Sequence, residues 1–159
     1  MGRKLQLIAA LLAVPMLHAA DPVGAFAAVV HQSNSTHNLR FRDLVLLFQG
    51  ASREWPTSSA VVLVERDAGS APFRYLMGRL LNTTPGEYKR SLQNIEYRGD
   101  LPVSIKILNS DAAACQFVFN VPSAIAIVET DSLAAPACAG IQVLRIDGKA
   151  PVDEGYRLK

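Results

Sequence analysis

Short apolar runs without alternation, set between stretches of helical periodicity, constrain this chain more than any other feature. Residues 25–30 (AFAAVV), 60–64 (AVVLV) and 124–128 (AIAIV) are continuous runs of small and branched side chains. A strand apolar on both faces needs cover on both faces. Residues 103–107 alternate and suit a half-buried strand, and residues 141–146 read as one further strand. Between the runs lie helical stripes. Residues 39–48 carry Leu44, Leu47 and Phe48 at helical spacing, with Thr36 or Asn38 as cap and Gly50 where a helix stops. Residues 72–81 carry Phe73, Leu76, Met77, Leu80 and Leu81 on one face. Thr84-Pro85-Gly86-Glu87 is a capping box with proline at the first helical position, opening a helix to about Gln93. Ser110 or Asp111 can cap a helix through Phe119. This order predicts an α/β fold, a largely parallel sheet flanked by helices. One domain over residues 21–159 is expected, with a loose tail from about Pro151.

The first twenty residues follow another logic. Arg3 and Lys4 open the chain, residues 5–17 are almost wholly apolar, and His18-Ala19-Ala20 precedes Asp21-Pro22. Basic, apolar and small is the layout of a secretory signal peptide. The apolar stretch is shorter than the roughly 20 residues a spanning helix needs, so cleavage after Ala19 or Ala20 is expected rather than a retained anchor. In an exported chain Cys115 and Cys138 can close a disulfide; two buried free thiols are the alternative. Two cysteines cannot form a four-cysteine zinc site.

Of 16 basic and 14 acidic residues, Arg3 and Lys4 fall in the leading segment and no acidic residue does, so the chain from Asp21 onward is balanced in charge. A balanced chain carries no broad electrostatic footprint for nucleic acid. No nucleic-acid partner is expected.

The most promising local chemistry is Gly69-Ser70-Ala71-Pro72, between a buried strand and a helix. A helix start offers unpaired N–H groups, which favour an anion. Gly69 permits close approach, Ser70 can donate a hydroxyl, and Arg66 and Arg74 flank the loop. The alternative is that Ser70 is an ordinary N-cap and the arginines are solvated. Ser33 and Asn34, after the first strand and beside His31, form a second polar loop at a strand end. Ser70, His31 and Asp43 can be written as a triad, but no G-x-S-x-G elbow is present, and His31 and His37 have no acidic partner at metal-ligand spacing. No enzymatic activity, metal or cofactor is expected.

The order of several motifs resembles a known family. Phe41-Arg42-Asp43-Leu44, Leu47-Phe48-Gln49-Gly50, Trp55-Pro56, the Val-rich strand and Arg66-Asp67-Ala68-Gly69-Ser70 are similar to the substrate-binding proteins of phosphate ABC importers, especially their short exported relatives. Ser123-Ala124-Ile125-Ala126-Ile127-Val128 and Val143-Leu144-Arg145-Ile146-Asp147-Gly148 extend the likeness over nearly all of residues 21–159. The resemblance implies a periplasmic-binding-protein-like fold of about one lobe, in the periplasm. It implies weak binding of phosphate or a similar oxyanion by Gly69 and Ser70 with Ser33 and Asn34, to which the flanking Arg74 of the local reading adds a charge, and a membrane importer or other periplasmic protein as partner. Ala71-Pro72 stands where the family has a threonine, and residues 123–127 lack the family's glycines and tyrosine. An accessory protein that keeps the fold without the ligand is the alternative.

Overall fold

The structure, a computed structural model, describes residues 26–98, 100 and 103–159. The expected signal segment and its cleavage point lie outside the described residues. The apolar runs become the central strands: β1 (Phe26–His31), β3 (Val62–Arg66) and β5 (Ala124–Glu129). β4 (Ser104–Leu108) and β6 (Ile141–Val143) complete a five-stranded sheet in the order β4-β3-β5-β1-β6. β3 pairs parallel with β4 and β5, whereas β1 runs antiparallel to both β5 and β6. Every strand but β1 therefore points the same way. Two short strands, β2 (Asn38–Leu39) and β7 (Arg145–Ile146), form a separate parallel pair.

Both faces of β1, β3 and β5 are buried, which is why these strands read as continuous apolar runs, whereas the edge strand β4 is largely exposed. One face carries Ala28, Val30, Leu63, Ile125 and Ile127. It is covered by α1 (Phe41–Phe48), α2 (Ala71–Tyr75), the π turn Leu76–Leu80 and α3 (Pro85–Tyr97). The other carries Ala27, Val29, Val64, Ala124, Ala126 and Val128 beneath α4 (Asp111–Asn120). Alanines on that second face let Ala114, Cys115 and Val118 of α4 sit close to the strands. Cys115 is joined to Cys138 by a disulfide that ties α4 to the short turn Pro136–Cys138.

Several boundaries differ from the sequence expectation for identifiable reasons. The strand expected over 60–64 starts at Val62, because Ala60 is drawn into an isolated bridge with Glu54. The helix expected over 72–81 begins as α2 and then widens; Leu81 N–H reaches back to Leu76 O at 2.9 Å, and Leu76, Met77 and Leu80 all stay buried. The strand expected over 141–146 is split. Leu144 N–H still bonds Ala28 O, but Arg145 N–H switches to His37 O, so the chain leaves the large sheet for the small one. Neither Thr36 nor Asn38 caps α1. Arg40 stands at its N-cap without a side-chain capping bond, its guanidinium pairing with Asp43 instead, and Asn38 Oδ1 accepts from Gly148 N–H at 2.7 Å. The tail is not loose along its length: Tyr156 and Leu158 are buried, and Phe26 N–H bonds Leu158 O.

Candidate functional site

The loop from β3 to α2 leaves the carboxyl end of a central parallel strand, the edge where open α/β sheets place ligands. Ser70 is the N-cap of α2. Its Oγ accepts Phe73 N–H at 3.2 Å and donates to Asp67 O at 2.8 Å, so its proton and one lone pair serve the loop itself. Arg74, although exposed, turns its guanidinium onto Gly69 O. Arg66 is committed more deeply. It pairs with the buried Asp111 carboxylate and donates to Leu108 O and Asn109 O, with Asp67 a weaker partner at 3.4 Å. Asp111 also accepts Glu129 N–H and Ser132 Oγ–H. Arg66 thus locks the carboxyl ends of β3, β4 and β5 together. What the loop leaves open is backbone: among the described residues the N–H groups of Ala68, Gly69 and Ala71 have no acceptor, and Ala68 and Gly69 are exposed.

Ser33 and Asn34 lie elsewhere. β1 is antiparallel to β5, with Phe26 opposite Glu129 and Val30 opposite Ile125. The loop after His31 therefore sits at the amino ends of β3 and β5, while Ser70 follows the carboxyl end of β3. A strand the length of β1 separates the two loops, about 17 Å at 3.3 Å per residue. The same geometry keeps His31 from Ser70, so the paper triad is not assembled. Among the described residues no group of three His, Cys, Asp or Glu side chains is placed to hold a metal.

Ser33 and Asn34 instead line a cavity of about 350 Å³ with Ser35, Thr57, Ser59 and Ser123. His31 Nδ1 bonds Ser33 Oγ at 2.7 Å, and Asn34 Oδ1 accepts Thr36 N–H. Trp55, only 3% exposed, donates its indole N–H to Ser123 O at 2.9 Å. No motif joins these residues in sequence, because they come from three separate polar connections.

A buried acid was also missed. Glu65, 5% exposed, accepts the Tyr88 hydroxyl proton across the β3–α3 interface. Burial raises the Glu65 carboxyl above its ordinary range, and the Tyr88 hydrogen bond only partly offsets it. Its signal was one Glu at the end of an apolar run (AVVLVE), which reads in sequence as a strand terminus.

No protein-family model matches the sequence, and no curated protein matches it. Solved structures do match. PstS from Borrelia burgdorferi aligns with a TM-score of 0.64 at 13% identity, over 80% of this chain and 49% of its own. An ABC-type phosphate transport receptor from Vibrio cholerae aligns at 0.60 and 18% identity, over 80% of this chain and 48% of its own. The fold is that of one lobe of a periplasmic binding protein. A protein from Clostridium perfringens, assigned as a phosphate ABC transporter substrate-binding protein and solved with bound phosphate, aligns at 0.62 and 15% identity over 80% and 46% of the two chains. This chain therefore spans about half the length of these neighbours. Among the described residues no helix is long and apolar enough to cross a membrane.

Proposed function

We propose that this chain is an exported, single-lobe solute-binding module that engages phosphate or a similar oxyanion at the Gly69-Ser70 loop, alongside an importer or another periplasmic protein. The observation that carries the reading is the trio of uncommitted N–H groups, Ala68, Gly69 and Ala71, on an exposed loop at the carboxyl end of β3. Backbone donors suit an oxyanion without a buried counter-charge. Ser70 and Arg74 support the site indirectly, by fixing the loop that presents those donors. A lobe that spans half of the neighbours buries an anion incompletely, so weak binding is part of the proposal.

A second reading is an accessory lobe that keeps the fold without a ligand. It is favoured by the internal commitment of the Ser70, Arg74 and Arg66 side chains. Thermal unfolding with phosphate, against sulfate at equal ionic strength, separates the two. A ligand bound only by the folded state stabilises by about 2.7 kcal/mol at 100 times its Kd. A phosphate-selective rise in Tm, with amide shifts at residues 68–71, supports the binding module. An unchanged Tm at high millimolar phosphate leaves the accessory reading.

A further inference from the structure

We propose that the cavity at the amino ends of β3 and β5 binds a small neutral polyhydroxylated molecule of monosaccharide size. Five hydroxyls and one amide line it: Ser33, Ser35, Thr57, Ser59, Ser123 and Asn34. No charged side chain is among the lining residues, so an ion would enter without a counter-charge. Each hydroxyl both donates and accepts, which is the pattern a polyol presents in return. Asn34 has its Oδ1 occupied by Thr36 N–H, which leaves the amide Nδ2 as its donor. Thr57 and Ser59 share a hydroxyl hydrogen bond at 3.3 Å, and among the described residues Ser35 and Ser123 have no intramolecular partner for their hydroxyls. The volume, about 350 Å³, lies at the lower end of small-molecule sites.

The walls are held in place before any ligand arrives. The first loop is fixed by His31 to Ser33 and by Asn34 to Thr36. Trp55 N–H bonds Ser59 O and Ser58 N–H bonds Trp55 O, closing a turn in which Ser58 adopts left-handed backbone at φ 63°. A non-glycine residue held in that region is strained, and such strain collects at functional loops. The Trp55 indole then ties this turn to the third wall through Ser123 O. Fixed polar walls reduce the ordering cost of binding.

Trp55 is the chain's one tryptophan and therefore a built-in reporter. Its emission in the full chain, titrated with D-glucose, D-galactose, myo-inositol and sodium phosphate, tests the proposal. The expected result is a saturable change with at least one of the three polyols, half-complete on the order of 1 mM, and none with phosphate. Ser123→Ala should weaken that binding about tenfold. Asn34→Asp, which keeps an acceptor for Thr36 N–H while removing the amide donor, should do the same. Three results overturn the site: no saturable change with any polyol up to roughly 100 mM, a change that both variants leave intact, or a change produced by phosphate alone. The loop at Gly69 lies at the other end of the sheet, so the outcome there neither rescues nor sinks this cavity.

Discussion

Asp147 caps a helix that begins 106 residues earlier: its Oδ1 accepts the N–H of Phe41 at 3.0 Å. Asp147 can do so because it sits at φ 51° in the turn before Gly148, a conformation that Asp tolerates better than most residues. The Phe41 N–H, with Arg157 as a lesser contributor, holds the Asp147 carboxyl below its ordinary range. Asp147→Ala should cost about 1 kcal/mol in urea unfolding at pH 7. Asp147→Asn keeps an acceptor and should cost less. A depressed carboxyl stabilises above its unfolded pKa and loses that contribution as pH falls through the folded one. The wild type should thus lose stability below about pH 4 more steeply than Asp147→Asn.

That cap also shows where sequence reading ended. The twice-covered strands were legible because burial on two faces leaves no room for alternation, and the Thr84 capping box was legible because it is local; both of its bonds form between Thr84 and Glu87. The α1 cap could not be read locally, since its acceptor arrives from the far end of the chain. The same holds for Ser33 and Asn34. Their chemistry was visible, but the antiparallel course of β1, which carries them away from Gly69, is a property of sheet order. The tail looked loose because Tyr156 and Leu158 are isolated apolar residues among polar ones, with no periodicity to mark a buried face.

The Glu65–Tyr88 contact makes a second pH dependence, of opposite sign. Glu65 is raised by burial, so the folded state holds its proton at pH values where the unfolded chain has released it. Stability should fall as pH rises from about 4.5 through the raised value. Glu65→Gln removes the titration, so the difference between wild type and variant should grow in the variant's favour from pH 4.5 to 7. Tyr88→Phe leaves the buried carboxyl without its donor and should destabilise by about 1–3 kcal/mol. A wild-type profile parallel to that of Glu65→Gln would remove the buried acid from the account.

The disulfide stabilises a part of the fold that packs without a second α-helix. α4 is the sole α-helix on its sheet face among the described residues, and the bridge spans a sequence separation of 23. In the chain-entropy model a loop of this size contributes about 3 kcal/mol. The double variant Cys115→Ala, Cys138→Ala should unfold at correspondingly lower urea. Hydrogen exchange should speed up first in α4 and β6, whereas the core beneath α1 to α3 should retain its protection.

Gly50 offers a sharper test of packing. It ends α1 at φ 70°, and an added Cβ would lie 2.6 Å from Val103 Cγ2 and 3.1 Å from Ile95 Cδ1. Left-handed backbone penalises any side chain there by about 1 kcal/mol, and the collision adds overpacking of about 1–3 kcal/mol. Gly50→Ala should therefore lower stability by more than the Asp147→Ala change, even though it adds only a methyl group. Gly148 separates the two causes. It has a similar φ of 80° but nothing within 4 Å of an added Cβ, so Gly148→Ala should register the backbone penalty alone. If the two alanine variants unfold at the same urea concentration, the packing of Val103 and Ile95 against Gly50 contributes nothing, and the close approach of α3 to the end of α1 is looser than its geometry implies.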